Sequence, residues 1–348
     1  MEASSTSAAT EGLLQKESQG VKFRNVLALF VWLGAIHVDA VFCLVCICFL
    51  PNPWAITALG LWVATIFIPT FVDSKFANNL ATFVAKNAPN HFPMEVHVED
   101  MDAFDPNRSY VLAVEPHSVL PISIVVLTTH YGLMPFTKVK ACATTIIFWT
   151  PVLRHIWTWM GLIPASKSSI RKHLHNGYST ILIPGGVQEC LYLKQGQETI
   201  FLKRRLGFLR LAMEAGSPLV PCFCFGQSEV YHYWKPSGEW FAALSRAIGF
   251  TPLVFWGMYG SPVPYPHPMY FVVGKPIEVE KISDPSKEQV IALQEKFIKA
   301  MGELFERHKS RAGYSNYTLH VKLDMRISHE DDQKLLAYVL GIFSMRTM

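Results

Sequence analysis

The chain reads as an α/β protein, a mixed and mainly parallel sheet flanked by helices, carried behind an N-terminal pair of apolar helices. Three observations predict this. Apolar, strand-like runs alternate with helical periods between residues 168 and 225, and that order favours parallel pairing. Glycine or proline closes most of those runs, as at Gly177, Pro184 and Gly216. The first 75 residues hold two long apolar stretches, 26–50 and 54–72, parted by Pro51, Asn52 and Pro53.

At 348 residues the chain has ample length for an enzyme core. Charged residues make up only 17%, against about 25% in most soluble proteins. Mean hydropathy is +0.22, which points to a membrane-associated chain. The net charge of +4 is small and scattered, so no nucleic-acid partner is expected. Thirteen histidines fall in no ligand spacing that suggests a metal. Seven cysteines form no recognisable disulfide framework, which fits a cytosolic face.

Residues 1–20 are rich in Ser, Thr, Ala, Glu and Gly and are expected to be disordered. The first apolar run is too long, and starts too far from Met1, to be read as a secretory signal. As a helix, 26–50 is about 37 Å long, against roughly 30 Å of hydrocarbon. With 54–72 it makes a membrane hairpin over residues 21–75, and Lys16, Lys22 and Arg24 before it and Lys75 and Lys86 after it place both ends in the cytosol. Asp39 speaks for the plainer alternative, a buried helical hairpin of a soluble protein.

Residues 76–323 then form the body. The pattern predicts a helix over 76–88, strands over 94–98 and 110–114, and an undecided element over 119–127. The aromatic stretch 141–160 is read as core, with a re-entrant membrane contact as the alternative. A helix over 168–177 leads to a strand over 178–183, a helix over 206–215 to a strand over 218–225, and 269–273 is one more strand. Val290, Leu293, Phe297, Met301 and Leu304 stripe a helix over 289–308. No role is assigned to 324–348.

The chemistry gathers at turns. Pro116 stops the strand at 110–114, since proline has no N–H to give a ladder. His117 therefore sits just past a strand end, with Glu115, Pro116 and Ser118 around it. A neutral imidazole there can take a proton from an alcohol. A packed histidine on a proline-braced turn is the plainer reading. Pro184, Gly185 and Gly186 close a second strand, where glycine amides face an oxyanion or simply form a tight turn. Gln188 and Glu189 follow; Glu189 orients a histidine or caps a helix. Lys203, Arg204 and Arg205 precede a helix that begins Gly207, Phe208, and suit phosphate groups, anionic lipid or solvent equally. No GxSxG elbow, Walker loop or dinucleotide loop is present.

Several of these blocks, in fixed order, resemble the diacylglycerol O-acyltransferase type 2 family, and its plant members in particular. Glu115-Pro116-His117-Ser118 is similar to the plant form of a catalytic turn that animal members write His-Pro-His-Gly. Ile183 to Glu189, Arg205 to Phe208 with Gly216 to Gln227, and Val273 to Ile277 match its other blocks, and the likeness spans 22–323. The resemblance implies a glycerolipid-acyltransferase-like fold. It implies acyl transfer from acyl-CoA, a co-substrate, to 1,2-diacylglycerol at the endoplasmic reticulum membrane, as a multi-pass protein with both termini cytosolic and no other cofactor. Lipid-droplet association and a homo-oligomer stay open. So do monoacylglycerol or a long-chain alcohol as acceptor, and a non-catalytic lipid-droplet hairpin protein. His117 is expected as general base, oriented by Glu115 or Glu189. The glycines (or Arg205) would hold the oxyanion, and Lys203 to Arg205 the phosphates of CoA. Glu115 stands where animal members have histidine, so no second imidazole base is available there.

Overall fold

The computed structural model describes residues 12–15, 23–191, 193, 198–202, 205–236, 238–248 and 250–321. In chain order these carry β1 (Gly12–Gln15), α1 (Phe23–Cys48), α2 (Pro53–Phe67), α3 (Lys75–Asn87), β2 (Met94–Val98) and β3 (Val111–Glu115). Then follow β4 (Val139–Ala143), α4 (Leu153–Trp159), β5 (Leu162–Pro164), α5 (Lys167–His175), β6 (Ser179–Leu182), α6 (Val187–Leu191) and β7 (Glu198–Ile200). The last group is α7 (Gly207–Ala215), β8 (Leu219–Phe225), β9 (His232–Trp234), α8 (Glu239–Ile248), β10 (Val254–Trp256), β11 (Met269–Val273), α9 (Lys287–His308) and β12 (Leu319–Val321).

An eight-stranded sheet in the order β1-β2-β11-β8-β3-β6-β4-β5 organises the body. Only β1–β2 and β11–β8 pair antiparallel in it; the other neighbours run parallel. The mixed, parallel-rich sheet is thus the one its alternating strand and helix pattern predicts. β3 lies at its centre, between β8 and β6. Its five residues are all buried because both sheet faces are covered. Leu112 and Val114 join the core on the side of α1, and Val111 and Ala113 the core under α9. The striped residues of α9 are buried as expected, and Ser286 and Gln289 close a capping box at its start.

Two regions differ from expectation, residues 12–15 and the N-terminal apolar pair, while 119–127 and the core stretch 141–160 take a definite form. Gly12–Gln15, inside the stretch expected to be disordered, adds an edge strand to β2. The stretch 119–127 is a 3₁₀ turn over Ile122–Leu127, and 141–160 divides into β4, a 3₁₀ turn at Thr145–Trp149 and α4, because Thr144, Thr150 and Pro151 interrupt its apolar run.

The largest difference lies at the N-terminus, where among the described residues α1 alone is long and apolar enough to cross a membrane. Its first half belongs to the core: Ala28, Leu29, Trp32 and Leu33 are buried against the body. Its second half is exposed at Val38, Val41, Leu44 and Ile47. α2 packs beside that half, but it stops at Phe67, where Ile68 turns extended ahead of Pro69. The expected span 54–72 is therefore shorter as a helix than its hydropathy suggested. The tail 324–348 lies outside the described residues.

Candidate active site

β3 ends at Glu115, and the chain turns through Pro116 to His117 and Ser118. The turn is fixed from three sides. Gln227, fully buried, donates from Nε2 to the Pro116 carbonyl (2.8 Å) and accepts the Ser123 amide at Oε1 (2.9 Å). Ser118 takes φ +55°, a conformation few non-glycine residues adopt, and its hydroxyl donates to the Gln227 carbonyl (3.1 Å). Glu189 accepts the backbone N–H of His117 at Oε2 (2.7 Å) and that of Phe201 at Oε1 (3.0 Å).

The imidazole is oriented by a different group. His117 Nδ1 lies 3.0 Å from the Ser118 carbonyl oxygen, which makes Nδ1 the protonated nitrogen. Nε2 is left as the acceptor, with no hydrogen-bond partner among the described residues. Burial lowers the pKa of His117, so the ring is neutral near pH 7. Cys190 also approaches Nδ1 (3.4 Å) and points its thiol at the same carbonyl (3.2 Å). Burial pushes that thiol up to about 12, which removes it as a nucleophile.

Beneath the turn lies a cluster of buried carboxyls. Glu115 is fully buried and accepts the Gly185 amide at Oε1 (3.2 Å), while its Oε2 meets no donor. Burial first, and then the charge of Glu189, push the Glu115 carboxyl well above the usual range. A proton on Glu115 turns the stranded oxygen into a donor to Glu189, as in a carboxylate pair that shares one proton. Glu189 itself is raised to about 7, by burial against three hydrogen bonds that hold it down. Glu198 on β7 is raised to about 8 by burial, with the Ser228 hydroxyl on its Oε2 (3.2 Å).

Gly185 exists for this cluster. A Cβ on it would lie 1.7 Å from Glu189 Oε1, so no other residue fits without displacing the carboxyl. Its N–H is given to Glu115 and its carbonyl accepts Arg205 Nη2 (3.1 Å). The amide of Gly185 is therefore not available to an oxyanion, contrary to the reading of the glycine pair from sequence. Gly226 is constrained in the same way: at φ +83°, an added Cβ would meet the Pro268 carbonyl at 2.2 Å.

One cavity of about 880 Å³ joins these parts. Trp32, Leu33, Ile36, Asp39 and Trp62 line it from the apolar helices, and Asp39 accepts the Trp62 indole N–H (3.2 Å). His117, Pro184, Gly186 and Cys190 line it from the two turns. Lys167, Arg205, Gly207 and Phe208 line it as well. Thus six residues selected from sequence, His117, Pro184, Gly186, Arg205, Gly207 and Phe208, converge on one space, while Pro116, Ser118, Gly185, Glu115 and Glu189 do not line it. The side chain of Gln188, and Lys203 and Arg204 entirely, lie outside the described residues. Sequence reasoning passed over Cys190 and Gln227 as site residues; Gln227 was visible at the end of a strand-terminating Gly-Gln pair, but its reach to Pro116 was not.

Against known proteins, the profile of the family described as diacylglycerol acyltransferase matches residues 46–322. The chain belongs to that family. Diacylglycerol O-acyltransferase 2-like protein 6 of Mus musculus is 31% identical over 65% of this chain and 73% of its own length. Human acyl-CoA wax alcohol acyltransferase 2 is 31% identical over 66% and 74%. Human 2-acylglycerol O-acyltransferase 1 is 28% identical over 66% and 73%. Among solved structures, the 1-acyl-sn-glycerophosphate acyltransferase of Thermotoga maritima aligns with 80% of this chain and 95% of its own, at 15% identity and a TM-score of 0.39, too low to carry a fold assignment.

Proposed function

We propose that this family member transfers an acyl group from acyl-CoA to the free hydroxyl of 1,2-diacylglycerol, with His117 as general base. The observation that carries the reading is the cavity. Its lining combines an imidazole with an unengaged Nε2, apolar side chains suited to lipid chains, and the cations Lys167 and Arg205. Nε2 takes the hydroxyl proton as the oxygen attacks the thioester carbonyl. Gly186 and Arg205 are the groups placed to meet the developing oxyanion. Collapse expels the CoA thiolate, which takes the proton back from the imidazolium. Glu115 and Glu189 act through the turn, as positioning residues.

His117→Ala in microsomes that lack other acyltransferases tests the base; triacylglycerol synthesis at the wild-type rate overturns it. The acceptor is the finer question, since the relatives' names include wax alcohols and 2-acylglycerol. A panel of diacylglycerol, monoacylglycerol and long-chain alcohol at equal acyl-CoA decides it. A scaffold that only sits on lipid droplets would have no use for the cavity and would yield no product with any of them.

The apolar helices support membrane attachment; both ends in the cytosol and the endoplasmic reticulum as the site belong to the same proposal, on the flanking basic residues and the family. The exposed arms, beyond residue 35 of α1 and along α2, are each about 20 Å long, less than the roughly 30 Å of hydrocarbon. Their connecting tip is apolar and exposed at Phe49, Leu50 and Trp54. Both features favour a hairpin buried in one leaflet over two full crossings.

A further inference from the structure

The body carries a second apolar surface, on β9, α8 and β10. Its two strands pair antiparallel, with Val254 opposite Trp234 and Phe255 opposite Tyr233. Successive side chains of a strand point to opposite faces, so the ribbon has two unlike sides. The inner side is built into the protein. Phe255 lines the cavity, and it packs edge-on against Tyr231 and against His37 of α1. The Tyr233 hydroxyl donates to the Leu193 carbonyl (2.9 Å). The outer side is bare: Trp234 is 59% exposed and Val254 57%. Close by in the chain, Trp240 and Phe250 are also exposed. Only Lys235, Glu239 and Arg246 are charged between Tyr231 and Gly260. Lys235 is held inward on the carbonyls of Cys190 and Leu191.

We infer that this ribbon is a second lipid-contact surface, seated in the interfacial layer of the bilayer beside the N-terminal hairpin. The partner follows from position. His37 Nε2 bonds the Phe255 carbonyl (2.9 Å) at the point where α1 leaves the core and its side chains become exposed. Where α2 ends, Arg154 holds the Ile66 and Ile68 carbonyls and Trp159 that of Thr70. These two attachments mark the plane at which the hairpin enters lipid, and the ribbon lies on that plane. Tryptophan on such a plane is the side chain membrane interfaces collect, apolar in body with one N–H for the headgroups. With so few charges the attraction is apolar, so it needs no anionic lipid. The consequence is that one wall of the cavity, at Phe250, Leu253 and Phe255, sits against the bilayer. The inference rests on the membrane reading of the hairpin.

The test uses the full chain in phosphatidylcholine vesicles, with Cys43 and Cys48 replaced by serine and one new cysteine carrying an environment-sensitive fluorophore. Val254→Cys and, separately, Trp234→Cys report the ribbon; Leu44→Cys reports the hairpin. Glu295→Cys reports α9, on the opposite sheet face. The expected result is a blue shift at 254 and 234 and loss of most fluorescence to quenchers carried near the lipid headgroups. Position 44 responds to deep quenchers and 295 to neither. Quenching at 44 with 254 and 234 behaving like 295 overturns the inference and leaves the hairpin reading intact. A blue shift at 254 without lipid-dependent quenching also overturns it, because a second copy would then cover the face. No quenching at 44 sinks the hairpin reading itself, and this inference with it.

Discussion

Two histidines of this protein, His117 and His308, stand close to carboxyls, and of the two only His117 keeps a ring nitrogen without a hydrogen-bond partner among the described residues. His308 on α9 has both ring nitrogens occupied: Nε2 meets Glu99 Oε1 (2.9 Å) and Nδ1 meets the Tyr270 hydroxyl (3.1 Å). Arg307 closes that cluster with hydrogen bonds to Glu99. Burial alone would raise Glu99, but His308 and Arg307 outweigh it and leave the carboxyl below its usual range. At His117 the arrangement is inverted. Glu189 takes the backbone N–H and not the ring, Ser118 holds Nδ1, and Nε2 opens on the cavity. Burial outweighs the charge of Arg205 at Glu115 and Glu189, and these carboxyls, like Glu198, are raised. The difference teaches that proximity of acid to imidazole is no sign of a base; the proposed role of His117 rests on its unspent ring nitrogen and on the cavity its residue lines.

The sharpest way to break this comparison is to remove each ring in turn. His117→Ala is expected to lower acyl transfer by about 10²- to 10⁴-fold while the thermal melt stays near wild type. His308→Ala is expected to do the reverse, costing about 1–3 kcal/mol of stability through the lost hydrogen bonds to Glu99 and Tyr270, with turnover little changed. Equal losses of activity in the two variants would erase the distinction.

Gly185→Ala comes next. The added methyl displaces Glu189, so a cost of about 1–3 kcal/mol is expected, together with a fall in kcat larger than any change in KM. Glu189→Gln keeps one of the two backbone bonds and puts an NH₂ against the other N–H, for about 1–3 kcal/mol as well. Chemical denaturation in detergent, run beside turnover, reads both.

The pH dependence separates the clusters with the smallest effect. Glu189 and Glu198 bind protons more tightly folded, near 7 and 8, than their usual 4.5. Their contribution is fully present below pH 4.5 and is lost as pH rises through those folded values. Glu99 has the opposite sign: its contribution is present above pH 4.5 and lost on acidification. Melting temperature against pH should therefore rise toward acid across pH 8 to 5 in wild type, and this slope should flatten in Glu198→Gln and persist in Glu99→Gln. The lowered pKa of His117 places the acid limb of the rate below pH 6.5.

Much of the site was legible because turns write themselves in local sequence. A strand that ends in Glu-Pro-His-Ser, and another that ends in Pro-Gly-Gly, announce where backbone leaves the sheet, and both turns reached the same cavity. The roles within them were less legible. Gly185 looked like an oxyanion donor, yet its amide is spent on Glu115, a partner 70 positions away. Gln227 looked like the end of a strand, yet it braces Pro116 across 111 positions.

The sequence by itself determined the alternation of strand and helix, the buried stripe of α9, the apolar N-terminus and the turn that carries His117, because period, propensity and proline act over a few residues. Tertiary structure decided the rest. Half of α1 became core because the body covers it, and much of the other half stayed exposed with α2 along one side of it. Which nitrogen of His117 is free, and which carboxyl keeps a proton, depend on donors and burial supplied by strands far apart in the chain, and hydrophobicity read along a single segment holds no information about what packs against it.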